Sequence, residues 1–178
     1  MAALADIAGH GLPAWVWSGA RSKGQSIIEV GLSRAMREDA DFSYRNAHML
    51  EQDGEIAGMV LGYGQPESFG PVDSSEVHEV FRPLVELEAE APGSWYLNIV
   101  AMFPEYRGRG LGTGLLDHAD ALAKATGAGL LSLIVDSDNH GARRLYNRTG
   151  YRERARRAYV SFPGSSRQGD WLLMVKEI

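Results

Sequence analysis

Apolar residues recur at helical spacing in several stretches of the chain and run without interruption in others. Ile27, Ile28, Leu32, Ala35 and Met36 repeat every three to four residues, which predicts a helix over Ser26 to Asp39. Val77, Val80, Phe81, Leu84 and Leu87 predict a second over Glu76 to Glu90. Leu111, Leu115, Ala119 and Leu122 mark the inner face of a third, from Gly110 to Thr126. Leu4 to Trp17 reads as helix interrupted by Gly9, Gly11 and Pro13, and Asn139 to Asn147 as a short helix closed by Thr149-Gly150. Tyr44 to Glu51 and Glu55 to Tyr63 read as strands joined at Asp53-Gly54, a strong hairpin signal. Trp95 to Phe103 and Leu130 to Val135 are apolar and β-prone, the former ended by Pro104. Tyr151 to Ser161 and Asp170 to Glu177 complete the strands around a Gly/Ser-rich turn, and Gln65 to Ser75 reads as loop. Strands and helices alternate after an early hairpin, so the expected fold is α/β with a mixed sheet.

Composition narrows the function classes. The chain has 178 residues, no internal repeat and no linker, which predicts one domain over 1–178. It has no cysteine, which excludes disulfides, thiolate metal sites and a cysteine nucleophile, and fits a reducing, cytoplasmic compartment. A net charge of −5 and the lack of a long apolar segment argue against nucleic-acid and membrane partners. The stretch from Arg143 to Arg157 is locally basic. It reads first as solvated surface, and alternatively as attraction for a phosphate-bearing cofactor.

The candidate chemistry begins after the Trp95 strand, where the chain reads Pro104-Glu105-Tyr106-Arg107-Gly108-Arg109-Gly110-Leu111-Gly112-Thr113-Gly114. A strand feeding a glycine-rich turn and then a helix suits phosphate, because backbone N–H groups at the helix start can point at the anion. A P-loop would need Lys-Ser or Lys-Thr after its last glycine, and a dinucleotide fingerprint would need Gly-x-Gly-x-x-Gly. Neither is present; the pattern met is Arg-x-x-Gly-x-Gly, at Arg107, Gly110 and Gly112. By itself the loop reads equally well as a turn that lets a helix pack closely on a sheet.

From Val100 through Thr113, and again at Asn139, Leu145-Tyr146 and Gly150-Tyr151, the chain resembles the GNAT acetyltransferase superfamily. The specific part covers about residues 95–151. The resemblance implies a mixed, mostly antiparallel central sheet flanked by helices and splayed at the cofactor site. It implies that Gly108 to Thr113, with Arg107, cradles the diphosphate of acetyl-CoA (Gly108, Arg109, Gly110, Leu111, Gly112 and Thr113). Backbone at Val100, Ala101 and Met102 would pair with the pantetheine arm. No metal is implied.

Asn139 and Tyr146 lie two helical turns apart. Read alone, Asp138 or Asn139 is the helix N-cap and Tyr146 a core aromatic. The resemblance instead implies that Asn139 contacts the cofactor and that Tyr146 protonates the departing CoA thiolate. The expected reaction is direct attack of a primary amine, on a small molecule or a peptide, upon the thioester, with a strand N–H near Met102 facing the oxyanion. Many relatives carry a carboxylate on the central strand; here the stretch is Trp95-Tyr96-Leu97-Asn98-Ile99, so the base is unassigned. Tyr96 and Asn98 would line the pocket or order a water. Glu79, Glu86, Glu88 and Asp136 read first as surface carboxylates, and His48 and His78 as structural. Trp15, Trp17, Phe42 and Trp95 suit core packing or aromatic pocket walls. Relatives usually begin with a strand, which this chain lacks in the sequence pattern; an edge so exposed would suit a homodimer. A non-catalytic acyl-CoA-binding or regulatory module is the rival reading.

Overall fold

The structure is a computed structural model that describes residues 1–70 and 77–178. In chain order its elements are α1 (Ala2–Ala8), α2 (Leu12–Gly19), α3 (Ile27–Ala35), β1 (Ala47–Gln52), β2 (Glu55–Gly64), α4 (Arg82–Glu88), β3 (Trp95–Met102), α5 (Leu111–Ala125), β4 (Leu130–Asp136), α6 (His140–Arg148), β5 (Arg152–Ala158) and β6 (Asp170–Glu177). The strands form one six-stranded sheet in the order β1-β2-β3-β4-β6-β5. The β1–β2, β4–β6 and β5–β6 ladders are antiparallel, whereas β3 and β4 pair in parallel. The expected mixed, mostly antiparallel α/β sheet is therefore what forms. Before β1 the described residues form helices, turns and loops, without a strand.

The chain divides into two compact units, one of residues 1–62, 99–115 and 162–165, the other of residues 63–98, 116–161 and 166–178. The first unit holds α1 to α3, the β1–β2 hairpin and the second half of β3. Gly9 and Gly11 split the N-terminal helix, and Gly11 sits at φ +89°, a left-handed conformation that glycine adopts without steric cost. A capping box starts α3: Ser26 Oγ accepts from Glu29 N, and Glu29 Oε2 accepts from Ser26 N at 2.7 Å. Trp17 is buried, against Phe42 at 6.0 Å between rings, and Gly31 leaves room for its indole. Trp15 stacks at 5.4 Å on Phe162. These aromatics pack the interior of the unit.

The hairpin follows its sequence signal. Asp53 at φ +55° and Gly54 at φ +83° give both central residues the positive φ of a two-residue turn between Gln52 and Glu55. The Tyr44 end of the expected strand instead forms a short 3-10 turn over Tyr44–Asn46, capped by Ser43. Residues 57–62 of β2 are all buried, as in a strand covered on both faces. Within it, a Cβ on Gly58 would come within 2.6 Å of Ala101 O, so glycine is what permits β2 to approach β3 here.

The second unit carries the first half of β3 with β4, β6 and β5. Leu87 and Ala91 pack with Trp171 and Leu173 into a core that Leu84, Leu130, Ile134 and Val175 extend, so α4 covers this face of β4, β6 and β5. The helix is shorter than the Glu76–Glu90 expectation and begins at the Arg82-Pro83 step, proline being well tolerated in a first helical turn. The Pro71 to Glu76 part of the loop and helix expectations lies outside the described residues. Two arginines of β5 are ion-paired, Arg157 with Glu86 and Glu90, and Arg156 with Glu153 and Asp170.

Gly58→Ala is expected to lower Tm by roughly 2–10 °C, the cost of overpacking against backbone that cannot rotate away. Gly114→Ala, in helix and with open space around it, is expected to leave Tm unchanged or slightly raised. Paired thermal melts check both.

Candidate functional site

The expected cofactor residues Val100 to Met102 and Arg107 to Thr113 all fall in the first unit. Phe103 N donates to Ala57 O at 3.0 Å and Ala101 O faces Gly58, so these two residues turn their backbone groups toward β2. Strand backbone alternates, which directs the N–H and C=O of Val100 and Met102 to the opposite edge. Met102 O accepts from Arg107 Nε at 3.2 Å, tying the turn back to the strand end. Ala101 thus differs from its neighbours in that its carbonyl lies on the β2 side of the strand.

The turn itself is built by two glycines in left-handed conformation, Gly108 at φ +74° and Gly110 at φ +81°, with open space where a Cβ would lie. Arg109 sits over the Tyr106 ring at 5.3 Å. From Gly110 the chain enters the 15-residue α5, whose first turn contains no acidic side chain. The positive end of its dipole therefore meets no carboxylate of its own first turn. Arg107, Gly108, Arg109 and Gly110 are exposed, and Leu111 to Thr113 half-buried.

Asn139 and Tyr146 fall in the second unit. Asn139 is the N-cap of α6, its Oδ1 accepting from Ala142 N at 3.2 Å. Of the two capping candidates, this residue takes the role. Tyr146 is buried with its ring 5.7 Å from that of Tyr151, and burial pushes its hydroxyl up to about 12. A phenol so placed stays protonated through the physiological range, the form a proton donor requires. Tyr151 is raised further, by burial first and then by the charges of Asp120 and Tyr146. Asp120 of α5 pairs with Lys176 of β6, whose ammonium lies 5.7 Å from the Tyr151 ring centroid.

The remaining acids and histidines sort by partner. Asp136 is buried, accepts from Asp138 N at 2.7 Å and is ion-paired with Arg167, which fixes the turn before β6 rather than leaving a base. Glu86 and Glu90 are held by Arg157. His78 Nδ1 accepts from Val80 N at 3.3 Å and the ring packs on Phe81. Glu88 instead hydrogen-bonds the buried Tyr96 hydroxyl, which also bonds Asn98. Asn98 Nδ2 donates to Tyr63 Oη at 3.4 Å. Tyr63 and the Asp120–Lys176 pair escaped sequence reasoning. The pair had a signal: Asp120 sits in the apolar stripe of α5 with Leu116 and Ala123, and Lys176 shares the strand face of Leu172 and Met174.

The sequence profile of the acetyltransferase (GNAT) family matches residues 17–151. N-alpha-acetyltransferase 40 of Saccharomyces cerevisiae is 32% identical over 106 residues, which is 56% of this chain and 34% of that protein. The chain spans between 23% and 34% of the length of the curated relatives it matches. A crystal structure of an acetyltransferase superposes with a TM-score of 0.65 at 23% identity, over 99% of this chain and 94% of the other. An acetyltransferase of Bacillus subtilis in complex with CoA gives 0.53 at 16% identity, over 74% and 76%. At these identities the structural likeness establishes the fold. Among the described residues no helix is long and apolar enough to cross a membrane.

Burial of Tyr146 has a sign in alkali. An unfolded tyrosine ionises near about 10, while the folded one holds its proton up to about 12. Between those values the native state binds more protons, so stability falls as pH rises. Tyr146→Phe removes that contribution, and its urea midpoint is expected to fall less steeply than the wild type's across this window.

Proposed function

Because the chain belongs to the acetyltransferase (GNAT) family, we propose that it moves an acetyl group from acetyl-CoA to a primary amine by direct attack. The reading rests on the turn from Arg107 to Thr113. Two left-handed glycines present backbone N–H groups at the start of a helix with no acid in its first turn. That is a site for the CoA diphosphate, which the basic side chains of Arg107 and Arg109 further attract. Val100 and Met102 offer the strand edge facing away from β2, where an amide-bearing pantetheine arm adds as an extra strand would. Asn139 would contact the same cofactor through its side-chain amide.

A thioester is already reactive, so the protein's work is positioning a neutral amine and stabilising charge. Attack forms a tetrahedral oxyanion, for which a strand N–H near Met102 is the donor. Collapse of that intermediate breaks the C–S bond and expels CoA thiolate, and Tyr146 gives the thiolate its proton. No metal takes part in this reading. The acceptor is an amine on a small molecule or a peptide.

Calorimetry is expected to show binding of acetyl-CoA and none of ATP or NAD. Gly110→Ala, which strains the turn, is expected to weaken acetyl-CoA binding. Tyr146→Phe is expected to keep acetyl-CoA affinity and lower the transfer rate by roughly a hundredfold or more, measured as amine-dependent thiol release. Acetyl-CoA binding without thiol release for any amine would favour the non-catalytic, regulatory reading. A rate in Tyr146→Phe equal to wild type across pH would remove Tyr146 from the mechanism.

A further inference from the structure

The four side chains Tyr63, Asn98, Tyr96 and Glu88 form a continuous polar chain in the second unit. Tyr96 and Asn98 are alternate residues of β3 and share one face, with Tyr63 contributed by the end of β2 and Glu88 by the last turn of α4. The chain grades in exposure: Asn98 is exposed, Tyr63 and Glu88 are half-buried, and Tyr96 is 5% exposed. The Tyr63 and Tyr96 rings meet edge-on at 5.8 Å, which fixes where both hydroxyls lie.

The end of α4 and the turn after it give three carboxylates different partners. Glu86 of α4 and Glu90, in the turn just after it, both clasp Arg157. Glu88, the last residue of α4, falls between them in sequence and hydrogen-bonds the Tyr96 hydroxyl. The Tyr96 proton belongs on the phenol: burial, then the charge of Glu88, holds its ionisation well above the ordinary tyrosine value. Tyr96 therefore donates to Glu88, while the Asn98 amide donates to the Tyr96 oxygen.

Resting on the acetyl-transfer reading, we propose that Glu88 is the base of the reaction and receives the acceptor's proton through Tyr96. A primary amine arrives as ammonium, with the Asn98 carbonyl and the Tyr63 hydroxyl oxygen as its hydrogen-bond acceptors. One N–H bond breaks and its proton passes to Tyr96 Oη, as the Tyr96 hydroxyl proton passes to the Glu88 carboxylate. The amine is left with the lone pair that attacks the thioester, Tyr96 ends as it began, and Glu88 later returns its proton to solvent. Both transfers occur together because a free tyrosinate is too costly at this buried position. Tyr96 is the catalytic residue that touches the amine; Glu88 acts through it. The acceptor class follows: a cationic primary amine, neutralised in place.

The test compares wild type with Glu88→Gln, Tyr96→Phe and Glu90→Gln, using an alanine-terminated peptide, lysine and a diamine as acceptors. Thiol release is followed from pH 6 to 10, alongside acetyl-CoA calorimetry and thermal melts. Expected for Glu88→Gln and Tyr96→Phe is a roughly hundredfold loss of kcat/KM at pH 7. The gap should close as pH approaches the amine's own pKa, where water and buffer suffice to deprotonate it. Acetyl-CoA affinity and the melts should match wild type, Glu88→Asp should recover part of the rate, and Glu90→Gln should behave as wild type. A Glu88→Gln enzyme with the wild-type rate at every pH, or with an equal loss at every pH, overturns the relay while acetyl transfer stands. A wild type that binds acetyl-CoA but releases no thiol with any amine overturns the acetyl-transfer reading, and the relay with it.

Discussion

The parallel meeting of β3 and β4 governs much of what surrounds it. Trp95 registers with Leu131 and Tyr96 with Ser132, and beyond Tyr96 β3 carries no further registered pair with β4 among the described residues. Parallel neighbours cannot be joined by a hairpin, so the chain has to leave the end of β3, cross over through α5 and return. That requirement puts a strand end, a tight turn and a helix start in immediate succession. The glycine turn is the shortest way to make that change of direction, and the same backbone conformation that makes it exposes N–H groups. The brevity of the ladder matters equally, because continued pairing would take up the backbone groups of Val100 and Met102 on the side away from β2.

What could be read from the sequence follows from which signals are local. The Asp53-Gly54 turn, the Gly9–Gly11 break and the Pro104 stop each act within a few residues, and each appears where its chemistry demands. The glycine turn was legible for the same reason. Helix limits were less so: α4 begins at Arg82 rather than Glu76, since the apolar stripe continues through residues that need not be helical. Tyr44 was misread as strand because its β-preference competes with a Ser43 cap that only the folded turn reveals. Partnerships between distant residues had no local signature at all. Glu86, Glu88 and Glu90 look alike in the sequence, and only the packing of α4 on the sheet turns two of them to Arg157 and one to Tyr96. The absence of an acid on β3 was visible in the sequence; the acid brought to β3 from a helix was not.

Several of the polar groups that the second unit buries are paired with one another. Ser94 Oγ and Ser132 Oγ lie 2.7 Å apart, both residues fully enclosed. Asp136 meets Arg167, and Asp120 meets Lys176. Each removes from water a group that would be costly to bury alone. Such pairs add little net stability, but they accept only one arrangement of the elements that carry them. For Asp120 and Lys176 those elements are α5 and β6, and the ammonium's place beside the Tyr151 ring extends that constraint to the residue packed on Tyr146.

The guanidinium groups along β5 bear on a different property, colloidal behaviour. β5 ends the strand order, so among the described residues one of its sides has no neighbouring strand. An unpaired strand edge is a template for a foreign strand. Five of its seven residues are charged, and two of the arginines, Arg156 and Arg157, pair with Glu153, Asp170, Glu86 and Glu90. A stray strand docking there would have to strip water from those ion pairs or break them. The residues that brace β5 against α4 and β6 thereby also make this margin of the sheet a poor seed for aggregation.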